Sequence, residues 1–259
     1  MTDQSRRFSF LGLHAGILLV FLYLPILVIA ALSFHDSTVF ALPWQGFTTR
    51  WYTRAIANPA LLEAFEHSLL LGIVVAIVAM TLGTAMALAF RLPFWGKSLV
   101  LVLILLPVMT PPIVHGVALA MFWRLSDLPL SLYGSAFVGH LCFVMPFVFL
   151  TIFPRVHKFD HSLEEAAMDL GASRSTTFWR ITFPLMRPGI IAGGVLAFTL
   201  SFDEFMRTLF LTSDQLTLPL YLWAMVTNDP SPQSSAIATL IALFSLSCLA
   251  MWARFASKS

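Results

Sequence analysis

The sequence predicts an all-α membrane protein with six transmembrane helices and one large polar loop between the fourth and the fifth. Three observations carry this. Of 259 residues, 58% are hydrophobic and only 11% charged, with a mean hydropathy of +0.85. That is more apolar surface than a soluble core of this size hides, so lipid must solvate much of it. Six runs of about 20 or more mostly uncharged residues follow one another, each long enough at ~1.5 Å per residue to cross a ~30 Å hydrocarbon layer. None shows the ten-residue alternation of a membrane barrel, and only helices satisfy their own backbone over such lengths in lipid.

The first run, Leu11 to Phe34, follows Arg6 and Arg7 as a signal peptide would. It is longer than an h-region and has no A-x-A site before the polar stretch that follows, so a span is expected. The second is Ser68 to Phe90. The third, Leu99 to Trp123, contains "LPVMTPPIVHG" at Leu106 to Gly116. Its three prolines remove backbone donors, so a kinked or unwound helix is expected, either as a packing kink or as a hinge. The fourth is Ser131 to Phe153, the fifth Gly189 to Leu211 and the sixth Ala236 to Phe255. One transmembrane domain over residues 1–259 is expected. Cys142 and Cys248 lie in apolar runs without a CxxC or Cys/His spacing and are expected to be structural.

Orientation follows from the basic residues. With the N-terminus inside, the inner segments receive Arg6, Arg7, Arg91, Lys97, Arg155, Lys158, Arg174, Arg180, Arg187, Arg254 and Lys258, while the outer loops receive Arg50, Arg54 and Arg124. Arg207 lies within a span. This bias places both termini in the cytoplasm and makes Pro154 to Arg187 the largest cytoplasmic loop. The formal charge of +2 gives no reason to expect nucleic acid. Trp44, Trp51 and Tyr52 in the first outer loop are expected to be interface anchors rather than a ligand cage.

The cytoplasmic loop contains "EEAAMDLGAS", Glu164 to Ser173. Ser162 and Glu165 have the spacing of a capping box, and Leu163, Ala166, Ala167 and Leu170 recur at helical spacing. Gly171 can take the left-handed turn that stops a helix. Ser173 or Ser175 can cap a second helix carrying Phe178, Trp179 and Ile181, which Pro184 is expected to halt before Pro188 opens the next span. A helix, turn, helix unit results. It suits a membrane-surface connector, but its acidic side suits a protein partner better than an anionic lipid surface.

Glu165-Ala166-Ala167, three residues, Gly171, nine residues and Ile181-x-Phe183-Pro184 resemble the EAA loop of permease subunits of ATP-binding-cassette importers, with Phe183 where leucine is usual. The resemblance covers essentially the whole chain. More narrowly, "SFDEF" at Ser201 to Phe205 and "TLPL" at Thr217 to Leu220 resemble the C-type permeases of the spermidine/putrescine transporter family. The resemblance implies a type I importer in a bacterial inner membrane. Its loop helix docks in a groove of a cytoplasmic ATPase dimer, using Ala166 and Ala167 for close approach, Gly171 for the turn, and Glu164, Glu165 and Asp169 toward basic groups at the groove's rim. It further implies a second, B-type permease chain and a periplasmic solute-binding protein. The chain has no G-x-x-x-x-G-K-[ST] pattern, so ATP and magnesium are expected to be bound by the separate ATPase, with no cofactor in this chain.

Asp203 and Glu204 are the carboxylates well inside a predicted span. Charge there is costly, so they are expected to face a cavity or a partner, or to pair with Arg207 at i+4 and i+3. Two carboxylates beside one arginine retain negative charge, which favours a cationic solute and, with the resemblance, polyamines. The same importer class serves other solutes, among them amino acid derivatives, phosphonates, iron and thiamine. His14, His115 and His140 lie in three different spans without paired ligand spacing and are expected to be satisfied or interfacial rather than haem or metal ligands, as an electron carrier would need. An autonomous secondary transporter is the other competing class.

Overall fold

The computed structural model describes residues 3–38, 43–157, 160–228 and 231–256. Lys158 and Lys258, counted above among the inner basic residues, lie outside them. The chain divides into two compact units, residues 1–59 with 222–243 and residues 60–221 with 244–259.

In the first unit, α1 (Asp3–Leu32) is apolar on every side along its span Gly12–Leu32, which has no buried residue in its apolar window. Such a helix has no preferred face and is solvated by lipid or by another chain. The segment after it folds back so that Trp51, opening α2 (Arg50–Ile56), donates its indole N–H to His35 O at 2.8 Å. Arg50 and Arg54 lie over the Trp51 ring at 4.5 and 5.1 Å, and Arg50 pairs with Asp36 at 2.7 Å. Trp51 is therefore not an interface anchor. It is 3% exposed, because the two arginines and the folded loop enclose it.

The second unit begins with α3 (Pro59–Ala89), followed by α4 (Lys97–Met109) and α5 (Pro112–Leu125). These last two form the third predicted span, broken by a bend of 108°. The cause is local. Pro111 and Pro112 supply no N–H, and Thr110, which precedes a proline, is held extended at ψ 139°. A π-helical turn, Leu132–Ala136, leads into α6 (Phe137–His157). Then come α7 (Ser162–Asp169), α8 (Arg174–Thr177), a second π-helical turn at Phe178–Thr182, α9 (Phe183–Phe202) and α10 (Met206–Leu211). The chain continues through α11 (Leu218–Asn228) to α12 (Pro232–Ala256).

Pro184 does not halt the second loop helix. The turn before it is π-helical, with Phe183 N–H bonded to Phe178 O, and this wider register admits the proline ring without a break. Arg174–Phe202 therefore runs as one continuous helical stretch, and the helix that carries the fifth span starts well before Gly189.

The core lies where α3, α6 and α9 meet, built from Leu71, Val75 and Ala79, from Val148, Phe149 and Ile152, and from Ala197. Close approach needs small residues, as in other membrane bundles. At Gly83 an added Cβ would sit 2.7 Å from the Val148 side chain.

Hydrogen bonds between distant segments define two faces of this unit. On one face His67 at the start of α3 bonds Leu216 O at 3.0 Å, Ser68 Oγ accepts the Leu218 N–H at 2.8 Å, and Ser213 bonds Leu130 O at 3.2 Å. On the other, Arg91 just after α3 meets Glu164 of α7. The bent α4–α5 pair starts beside Arg91 and ends beside Leu130, and its two halves are long and apolar enough together for one crossing. Counted as one span, it brings the five longer apolar helices to the six expected.

Candidate functional site

Two sets of residues stand out, one at each predicted position. The first is α7 and its turn. Gly171 takes φ +88°, its N–H bonds Met168 O at 2.9 Å, and the Ala172 N–H bonds Ala167 O at 3.0 Å. This is the paired closure of a Schellman stop, which glycine makes without a Cβ penalty. Ser173 is extended and accepts the Thr176 N–H at 3.2 Å, capping α8. Ser162 does not cap α7: the helix starts one residue earlier in register, and the Asp160 carboxylate accepts the Ser162 N–H at 3.0 Å. An anion at that end also suits the helix dipole.

The surface of α7 divides differently from the sequence pattern. Glu165, Ala166 and Asp169 are exposed, Ala167 is half-buried, and Leu170 at the tip is 90% exposed. The apolar residues therefore face outward, where a partner can reach them. Glu164 does not face outward. Arg91 donates to both its carboxylate oxygens, Nη1 to Oε1 at 3.1 Å and Nη2 to Oε2 at 2.5 Å. Thr182 also donates to Oε1, and the His161 ring lies 3.5 Å from Oε2. Hydrogen bonds from Arg91 outweigh the opposing effect of burial and hold the carboxyl down at about 2, so it stays ionised at physiological pH. Arg91, Glu164 and Thr182, with Met168, Arg174, Thr177 and Phe178, line a cavity of about 340 Å³.

The second set is at Asp203 and Glu204. The predicted helix 189–211 is not continuous. It ends at Phe202 and resumes at Met206, leaving Asp203 to Phe205 as a break. Glu204 is buried there. Its Oε2 pairs with Arg207 Nη1 at 2.7 Å, and its Oε1 accepts the Arg207 N–H at 2.9 Å. Arg207, 2% exposed, donates from Nε to His115 Nδ1 at 2.9 Å and lies 3.9 Å over the Phe143 ring. His140 spans the break, with Nδ1 2.8 Å from Ser201 Oγ and Nε2 2.8 Å from Thr208 Oγ1. Thr208 gives its one hydroxyl proton to Glu204 O, so His140 Nε2 carries the hydrogen and Nδ1 accepts from Ser201.

Asp203 differs from its neighbour. It is exposed, and its Oδ1 accepts from Ser245 of α12 at 2.9 Å. The break has sorted the two carboxylates: Glu204 pairs with Arg207, and Asp203 lies at the surface of the chain with the Ser245 hydroxyl on it. His115 and His140, expected to be satisfied rather than metal-binding, are hydrogen-bonded members of this cluster. Among the described residues no group of three or more His, Cys, Asp or Glu is placed to hold a metal ion. Arg91, Thr182, Ser201 and Ser245 were not candidates from sequence. Each acts on a residue far away along the chain, except that Arg91 was marked by its charge at the end of a span.

A bundle of apolar spans with a buried charge cluster at a helix break, and a capped helix, turn, helix unit on one face, is a multi-pass membrane transport component. The chain belongs to the family of binding-protein-dependent transport system inner membrane components, whose sequence pattern matches residues 79–257. It is 38% identical over 228 residues to the spermidine/putrescine transport system permease protein PotC of Escherichia coli K12, covering 87% of this chain and 86% of that one. It is 32% identical over 247 residues to the PotC protein of Haemophilus influenzae, covering 95% of each. The putrescine transport system permease protein PotI of E. coli K12 is 33% identical over 233 residues, covering 85% and 81%. In fold it is similar to a chain of a bacterial ABC transporter involved in the import of alginate, with a TM-score of 0.70 over 97% of both chains at 18% identity. The chain is thus a permease subunit of an ABC importer and not itself an enzyme.

Proposed function

We propose that this permease passes a small cationic solute, with spermidine and putrescine the leading class, through a path that includes Asp203. The observation that carries this is the unequal treatment of two adjacent carboxylates: Arg207 pairs with Glu204, and Asp203 lies exposed at a break in the fifth span with a serine hydroxyl as its partner. A fixed negative charge at membrane depth lowers the barrier to an amine cation and raises it for an anion. The names of the similar permeases support the same solute class.

In this reading α7 is the coupling helix. Glu165, Ala166, Ala167, Asp169 and Gly171 form or shape the surface that a cytoplasmic ATPase dimer grips, with ATP and magnesium bound by that partner. A second permease chain of B type completes the path, and a periplasmic binding protein delivers the solute. Both termini and α7 face the cytoplasm, in keeping with the basic residues.

The test is uptake of labelled spermidine and putrescine into vesicles carrying the whole complex, with subunit abundance followed by blotting. Asp203→Asn, nearly isosteric, is expected to lower uptake at least about tenfold with normal assembly, since losing one favourable charge contact of ~1.4 kcal/mol suffices. Parent-rate uptake by an assembled Asp203→Asn complex would make Asp203 structural. A parent complex that moves only anions or sugars would refute the cation reading and leave the permease standing.

A further inference from the structure

The helix α7 is tied to the rest of the chain through one carboxylate, Glu164, which Arg91 and Thr182 both bond. None of its residues is buried, and Leu163 and Leu170 turn apolar surface outward. Its closest packing is to α8 and the π-helical turn Phe178–Thr182. Eight residues make about two turns, too few to persist alone. The ion pair between Arg91 and Glu164, by contrast, is bidentate and only 14% and 18% exposed. Water therefore screens it less than an ordinary surface pair.

The position of the two partners gives this pair a mechanical meaning. Arg91 follows α3 directly, and Thr182, the third group on Glu164, closes the turn that runs unbroken into α9. We propose that Arg91 is a positioning residue that transmits movement of α7 to the membrane helices, by clamping Glu164 to the end of α3 while Thr182 ties the same carboxylate to the start of α9. A pull on α7 then reaches α3 and α9 together instead of peeling the helix away. The guanidinium fork fixes orientation as well as distance, which a lysine's point charge does not. This inference rests on the coupling role proposed above.

The test uses the whole importer in membrane vesicles, with Cys142→Ser and Cys248→Ser removing the native thiols. A single cysteine replacing Ile77 in α3 or Ile191 in α9 reports helix movement as the ratio of maleimide labelling rates with and without ATP and vanadate. In the parent this ratio is expected to depart from one by at least about fivefold, an ordinary allosteric coupling. Arg91→Met is expected to bring it to within about twofold of one at both reporters while the ATPase still co-purifies. Arg91→Lys should recover part of the change, and the exchange Arg91→Glu with Glu164→Arg most of it.

A parent-like ratio in Arg91→Met at either reporter would overturn the proposal. Loss of the bound ATPase in that variant would also overturn it, making Arg91 a docking residue. If Arg91→Met does not accumulate, the exchange decides: an assembled exchange variant whose ratio stays at one refutes the clamp. Failure of the coupling reading looks different, because the parent's own ratio then stays at one, and the clamp falls with it.

Discussion

Glu204→Gln removes one charge and leaves a larger problem behind. Arg207 is 2% exposed, and Glu204 provides both its side-chain counter-charge and the acceptor for its backbone N–H. Breaking a buried pair by deleting one partner costs about 3–5 kcal/mol, because the remaining charge is desolvated without compensation. Here His115 still accepts from Nε, the Phe143 ring still faces the guanidinium, and glutamine keeps an oxygen for the backbone N–H. The lower end, about 3 kcal/mol, is therefore expected. For a chain of this size that corresponds to a fall of roughly 6–12 °C in the thermal midpoint. The assay is thermal aggregation of the detergent-purified complex, run beside Asp203→Asn, Arg207→Met and the double variant Glu204→Gln with Arg207→Met. The double variant should be clearly more stable than the sum of its two single variants predicts, since it leaves neither charge buried alone. A Glu204→Gln complex as stable as Asp203→Asn, or a double variant that is simply additive, would refute the assignment of Arg207 to Glu204.

Two further outcomes are expected. Gly171→Val places a β-branched residue at φ +88° and costs at least about 1–2 kcal/mol at the stop of α7; uptake should be lost with the permease still in the membrane, and normal uptake with normal ATPase stimulation would remove the case for the turn. In a background free of native thiols, a cysteine replacing Gln233 should react with an impermeant thiol reagent from outside and one replacing Ser173 should not, and the reverse pattern would invert the orientation read from the basic residues.

The spans were legible because each depends on a run of residues that are neighbours in sequence, and the same holds for Gly171 and Ser173, whose roles are settled within four or five positions. The cap of α7 was misread from equally local information, because Asp160 and Ser162 both offer an oxygen near the helix start and the backbone register chooses between them. Glu164 could not be read at all from its surroundings. Its partner is 73 residues away, and only the folded chain brings the end of α3 beside the loop. The Asp203, Glu204 and Arg207 spacing did signal an internal pair, but a continuous helix leaves both carboxylates eligible. The break after Phe202, with Ser201 and Thr208 bridged by His140 from α6, decides which one the arginine takes. Trp51 likewise has the sequence look of an interfacial tryptophan and becomes core only because the loop folds over it.

The bend between α4 and α5 also has a thermodynamic side. In an unbroken helix the carbonyls of Pro107 and Val108 would accept from residues 111 and 112, and both of those are prolines with no hydrogen to give. The Thr110 hydroxyl takes up Pro107 O at 3.1 Å. Changing the angle at this joint therefore ruptures no backbone bond between the two halves: the enthalpy that normally stiffens a membrane helix was never present there. The half beyond the joint, α5, packs on α10, just past the Asp203 break. Two lengths of chain far apart in sequence thus meet, and each begins at a helix break. A change of angle at the proline joint is therefore opposed by the packing of α5 on α10 and α6 and by lipid, not by a ladder of backbone bonds.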